Sequence, residues 1–161
     1  MQTIEVQLYQ SLKQHHITLT TAESATGGMI AATLINVPGI SEFFTEGYVT
    51  YSNDAKVKMI GVDRTIIETY GVVSHEVAEN MAVCAAKTAQ TNAALSVTGV
   101  AGPDGGTITC PVGTVYIGCH LNGKTVVEHH VFSGGRQEVR AQATRRAMQM
   151  LLDAINGQFP S

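Results

Sequence analysis

Four stretches of the chain carry residue types and spacings suited to nucleophilic chemistry or to holding a small anion. The first is Thr21-Ala22-Glu23-Ser24-Ala25-Thr26-Gly27-Gly28, where a serine follows a short buried strand and precedes a pair of glycines. A serine on a strand-to-helix turn is exposed at the carboxyl edge of a sheet, where helix amides can stabilise an oxyanion or a phosphate. The glycines allow a ligand close to the backbone. Serine at such a place also serves as a plain helix N-cap, so position alone leaves both roles open.

A serine hydroxyl needs a neighbouring base to act as a nucleophile. The six histidines, His15, His16, His75, His120, His129 and His130, lack a turn-like setting with a carboxylate nearby in sequence. His129 and His130 are adjacent on a predicted strand and point to opposite faces, which argues against a shared metal or a serine–histidine–aspartate triad. Lys56, in Tyr51-Ser52-Asn53-Asp54-Ala55-Lys56, falls in the first turn of a predicted helix, where the dipole favours the neutral amine. A solvated surface lysine is the plainer alternative.

The third stretch, Gly99-Val100-Ala101-Gly102-Pro103-Asp104-Gly105-Gly106, follows a predicted strand and has the composition either of a phosphate cradle or of an ordinary Pro-Asp-Gly turn. The fourth pairs Arg136 and Arg140, four apart at the start of the last helix, after Ser133-Gly134-Gly135. Cations at a helix N-terminus are electrostatically misplaced, so a bound anion would explain them, as would a solvated face. The common nucleotide fingerprints, G-x-x-x-x-G-K-[ST] and G-x-G-x-x-G, are absent from the sequence.

The elements that must position these residues follow from periodicity. Ile4, Leu8 and Leu12 mark a helix over 4–16, and 17–22 reads as a short buried strand. Residues 27–36 form a helix stopped by Val37-Pro38-Gly39. The aromatic and β-branched run 43–51 reads as a strand, and Ser52-Asn53 caps a helix over 54–60. Ser74 precedes a helix over 75–90, and residues 93–98 form a strand. Strands 114–121 and 125–132 flank Asn122-Gly123, a hairpin signal. The last helix spans 136–156 and ends before Gly157. Helices between early strands and a late hairpin predict a layered α/β/α domain with a mixed sheet, a C-terminal β-hairpin and a final helix, in one domain over 1–161.

Composition narrows the function classes. With 161 residues, 44% hydrophobic and 14% charged, the chain can bury a core of its own. A net charge of −3 without a basic run gives no footprint for nucleic acid. Cys84, Cys110 and Cys119 form no C-x-x-C pair, which speaks against a disulfide framework or a zinc site. Without a leader-like start or an apolar run near the ~20 residues a bilayer requires, a cytoplasmic protein away from the membrane is expected.

The segments TAESATGG (21–28), GYVTYSNDAK (47–56), GVVSHEVAENMA (71–82), VTGVAGPDGG (97–106) and PVGTVYIG (111–118) resemble, in order and spacing, the nicotinamide-nucleotide amidase family, the CinA C-terminal domain. The resemblance spans nearly the whole chain and looks like the stand-alone form. It implies hydrolysis of the carboxamide of nicotinamide mononucleotide to nicotinate mononucleotide and ammonia, with no metal or organic cofactor. Carried onto this chain, Ser24 is the nucleophile and Lys56 its base, with Tyr51 and Asn53 as hydrogen-bonding support. Thr26, Gly27, Gly28, Thr98, Gly99, Ala101 and Gly102 contact the nucleotide, and Arg136 or Arg140 its phosphate.

In that mechanism Ser24 attacks the amide carbon, amides near 26–28 or 99–102 hold the oxyanion, ammonia leaves and water releases the acyl enzyme. Three positions depart from the usual family pattern. Ala25 stands where cysteine is common, Cys110 where lysine is usual and Gly135 where aspartate is usual. The last two give weight to a second reading, a weakly active or inactive paralogue that binds a pyridine nucleotide or a protein partner. Self-association is expected from the resemblance and the small apolar helix faces.

Overall fold

The computed structural model describes residues 1–159. In chain order the elements are α1 (Ile4–His15), β1 (Leu19–Glu23), α2 (Met29–Leu34), a 3-10 turn (Ile40–Glu42), β2 (Tyr48–Val49), α3 (Asn53–Ile60), α4 (Arg64–Tyr70), α5 (His75–Ala89), β3 (Ala93–Gly99), β4 (Thr114–Leu121), β5 (Lys124–Val131) and α6 (Arg136–Ile155). The sheet order is β2-β1-β3-β4-β5. The first three strands are parallel, and β4 and β5 turn back antiparallel through the predicted hairpin.

Strand alternation divides the core between the two sheet faces. Leu19, Leu95, Val97, Val115 and Ile117 pack with α1, α2 and α6, whereas Ala22 and Ala94 pack with α5 and with Ile60, Val62 and Ile67. This is the layered α/β/α arrangement expected. The parallel strands end together on one edge: Glu23 pairs with Val49 and with Val97. The turns that leave β1, β2 and β3 therefore meet there.

Beyond shifts of one or two residues at other ends, two elements depart from the sequence reading in ways that have a physical cause. The strand expected over 43–51 contracts to Tyr48–Val49. Phe43 and Phe44 are consecutive and both buried, which a half-covered edge strand cannot provide, since neighbours face opposite sides. They fill the core after the 3-10 turn, and Leu19 N–H donates to the Phe43 carbonyl at 2.8 Å. The helix expected from Gly27 starts at Met29, because Gly27 (φ 57°) and Gly28 (φ 103°) adopt left-handed conformations that end the preceding turn. The short helix α4, capped by Asp63, spans seven residues, too few to display a periodic stripe.

Candidate active site

The turn 24–28 is built around a buried carboxylate. Glu23 is 1% exposed. Its Oε1 accepts from Thr26 Oγ1 at 2.7 Å and Ile30 N–H at 2.9 Å, and its Oε2 accepts from Ala31 N–H at 3.0 Å. It thus satisfies the opening amides of α2 from the preceding strand, and Gly28, not Ser24, is the N-cap. The Ser24 side chain is left free of capping. Ser24 N–H donates to the Val97 carbonyl at 3.0 Å, and the Ser24 carbonyl accepts from Gly27 N–H at 3.0 Å, which anchors the serine to β3 and closes the turn.

Lys56 meets Ser24 across the carboxyl edge. Its Nζ lies 3.2 Å from Ser24 Oγ and donates to the Thr50 carbonyl at 2.8 Å. The side chain is 1% exposed and forms no salt bridge among the described residues. Burial pushes the amine down from its ordinary 10.5 to about 8. The sequence reading attributed such lowering to the α3 dipole; desolvation is the cause found, because an ammonium without a counter-charge is poorly stabilised away from water. A neutral amine has two N–H donors and one lone pair. With the Thr50 carbonyl holding one donor, the lone pair is available to the Ser24 proton.

Ser24 and Lys56 open onto a cavity of about 400 Å³, within the range of small-molecule sites. Of the residues singled out in the sequence, Tyr51, Asn53, Thr98, Gly99, Ala101, Gly102 and Arg136 line it. Arg136 reaches across the rim, donating to the Gly102 carbonyl at 2.8 Å and to Tyr51 Oη at 3.1 Å. Thr98 Oγ1 donates to the Val72 carbonyl at 2.8 Å, which turns its side chain toward α5.

The remaining expected contacts fall elsewhere. Thr26, Gly27 and Gly28 are outside the lining, and Arg140 faces the back of the nucleophile turn. Its Nε donates to the Ala25 carbonyl at 3.0 Å and its Nη2 to the Thr26 carbonyl at 3.1 Å. Arg136 and Arg140 share a helix and a charge but bond different segments, Arg136 the Gly102 loop and Tyr51, Arg140 the nucleophile turn. The sequence reading missed Val72 and Val73, which line the cavity together with Asp104 of the glycine-rich loop. Asp104 was visible as the acidic residue of the glycine-rich loop; the two valines carry no chemical signal. None of the six histidines lines the cavity. His129 stacks on Tyr116, and His130 stacks on Phe132 and bonds Glu128. Among the described residues no His, Cys, Asp and Glu cluster could hold a metal ion. No helix among them is long and apolar enough to cross a membrane.

The fold and the site define a class: a three-layer α/β protein with a serine and a buried lysine paired at the carboxyl edge of its parallel strands. Comparison with known proteins gives the family. The CinA C-terminal domain model matches residues 1–155, and the chain belongs to that family. A Clostridium beijerinckii protein named "Putative competence-damage inducible protein" is 50% identical over 148 residues, covering 92% of this chain and 36% of that one. A Clostridioides difficile protein of the same name is 48% identical, covering 87% and 34%. The chain thus spans about a third of the length of these curated relatives.

Solved structures agree. The CinA superfamily protein from Klebsiella pneumoniae 700603 superposes with a TM-score of 0.92 at 30% identity, covering 96% of each chain. The competence/damage inducible protein CihA from Agrobacterium tumefaciens gives 0.90 at 36% identity, covering 97% of this chain and 99% of that one.

Proposed function

We propose that the protein is an amidohydrolase that converts nicotinamide mononucleotide to nicotinate mononucleotide and ammonia, with Ser24 as nucleophile and Lys56 as base. The observation that carries this reading is the Lys56–Ser24 pair: a lysine 1% exposed, without a counter-charge, 3.2 Å from a hydroxyl that opens onto a cavity. A lysine held only to pack would bring its amine to solvent or to a carboxylate, since burying a charge alone is costly.

In the proposed reaction Ser24 Oγ bonds to the amide carbon, the carbonyl electron pair moves to oxygen, and Lys56 Nζ takes the hydroxyl proton. Collapse of the tetrahedral adduct breaks the C–N bond. Lys56 returns the proton to the departing nitrogen, giving ammonia and an acyl ester on Ser24. Water, deprotonated by the same amine, then bonds to the acyl carbon, the ester bond to Ser24 Oγ breaks, and Lys56 returns the proton to that oxygen as the carboxylic acid leaves and ionises. Arg136 bonds Gly102 and Tyr51 with only part of its five-donor guanidinium, so it keeps donors for the nucleotide phosphate at the rim. Thr98, Gly99 and Ala101 wall the cavity beneath it. The unusual Cys110 and Gly135 do not line the cavity, which favours an active enzyme over a silent paralogue.

The test is ammonia release from nicotinamide mononucleotide by the purified protein and by Ser24→Ala. Steady release that Ser24→Ala abolishes supports the reading. An unmutated protein that releases none, or a Ser24→Ala variant that keeps its rate, overturns it.

A further inference from the structure

The geometry points to Arg140 as a positioning residue that holds the Ser24 turn in the shape needed to stabilise an oxyanion, by gripping the carbonyls of Ala25 and Thr26 from behind. This rests on Ser24 being the nucleophile, as proposed above. It moves Arg140 from the substrate phosphate, where its sequence position suggested a contact, to the scaffold of the reacting group.

Three observations carry it. The first is the two-pronged grip itself: Nε and Nη2 reach two successive carbonyls at 3.0 and 3.1 Å, the parallel-donor geometry in which a guanidinium is rigid and a lysine amine is not. The second is what the grip leaves over. In a trans peptide the C=O and N–H point in opposite directions, so a carbonyl of Ala25 directed at Arg140 turns the N–H of Thr26 away from it. The amides of Ala25 and Thr26 have no hydrogen-bond acceptor among the described residues, whereas Ser24, Gly27, Met29, Ile30 and Ala31 all have one. Gly28 N–H is likewise without one; the Ala25 and Thr26 amides are the two that immediately follow the nucleophile. Ala25 lines the cavity, and Thr26, next in the chain, and Arg140 lie behind it.

The third is Gly27. It sits at φ 57°, a left-handed conformation that strains any other residue, and a Cβ there would lie 3.4 Å from Arg140 Nη2, in van der Waals contact with the guanidinium. Glu23 completes the vice from within by holding Thr26 Oγ1 and the start of α2. Because that carboxylate already satisfies the Ile30 and Ala31 amides, the helix start is not the oxyanion site. The charge that develops on the substrate oxygen falls to the Ala25 and Thr26 amides; Arg140 sets the direction of the Thr26 amide through the Ala25 carbonyl, and the Gly27 N–H, which holds the Ser24 carbonyl, sets that of the Ala25 amide.

The experiment compares Arg140→Gln, Arg140→Lys and Gly27→Ala with the unmutated protein, with circular dichroism and melting temperature recorded for each. With nicotinamide mononucleotide as substrate, Arg140→Gln lowers kcat about 30- to 300-fold, near the loss of one oxyanion donor, and changes KM less than about threefold. Arg140→Lys recovers only part of kcat, and Gly27→Ala, which leaves the charge in place, lowers kcat in the same way. A KM raised tenfold or more with kcat intact returns Arg140 to phosphate binding and overturns the proposal, as does an unchanged kcat. A crystal structure of Arg140→Gln or Arg140→Lys decides the clamp independently of substrate. A displaced 24–28 turn supports it, and a turn that superposes on the unmutated one overturns it. Failure of the unmutated protein to release ammonia strikes the amidase reading, while the crystallographic comparison still judges the clamp.

Discussion

The two walls of the cavity are built to opposite specifications. The nucleophile wall, which reaches the cavity through Ser24 and Ala25, belongs to a turn, 23–28, that is largely buried and tied by the Glu23 carboxylate, the Arg140 guanidinium and the Val97 carbonyl. The facing wall reaches the cavity through Asp104 and Gly105 of a loop in which every residue from Pro103 to Thr109 is exposed, and Ile108 is fully so. That loop is held by a local pair of bonds between Thr107 and Cys110 and by the Arg136 bond to Gly102. The difference separates two tasks. A reacting group gains from being held within a narrow geometry, whereas a surface that must admit and release a ligand gains from few ties.

The contrast predicts a ranking of effects. Lys56→Met, which fills the same volume without an amine, is expected to lower kcat about 10³- to 10⁴-fold in the ammonia assay, comparable to losing a general base. In the unmutated protein kcat/KM should rise about tenfold per pH unit below an apparent pKa of about 8 and level off above it, because the base acts as the neutral amine. The same depressed pKa makes stability rise between about pH 8 and 10.5, where the unfolded chain binds the extra proton. Denaturant titrations across that window should show the rise in the unmutated protein and its loss in Lys56→Met.

On the same rigid wall, Glu23→Ala removes three hydrogen bonds to a buried carboxylate and should destabilise the fold by about 2–4 kcal/mol, read as a lowered denaturation midpoint. On the facing wall, Arg136→Ala should raise KM for the nucleotide about 10- to 30-fold while kcat changes little, which would locate its contribution in binding. At the loop tip, Ile108→Ser should leave stability within about 0.5 kcal/mol and kcat unchanged. A large effect from Ile108→Ser would mean that the exposed wall is as constrained as the buried one, and the comparison would fail.

How far the site could be read in the sequence depends on what each residue's type reveals. Ser24 was legible because a buried strand followed by paired glycines marks a turn at a sheet's carboxyl edge, and the structure places it there. The layered α/β class with a mixed sheet and a terminal hairpin was legible for the same reason, as a matter of alternation and turn chemistry, whereas the strand order was not read from the sequence. Lys56 was legible as a candidate only by elimination of the histidines. Its burial was not, since a lysine four residues into a helix looks like any surface lysine until the helix packs. Arg136 and Arg140 were indistinguishable in sequence, four apart on one face. Only the line of α6 across the carboxyl edge sends one to the cavity rim and the other behind the turn. Phe43 and Phe44 misled because β propensity reports a preference for burial as much as for a strand.

The isolated amine of Lys56 also makes the protein addressable by chemistry. At pH 7.5, a group with a pKa of about 8 is about a quarter unprotonated, against about one part in a thousand for an ordinary lysine. An amine-directed acylating reagent small enough to enter the cavity therefore meets, at neutral pH, one lysine that competes well above its numbers. A covalent tag at position 56 would report directly whether the cavity is open or filled.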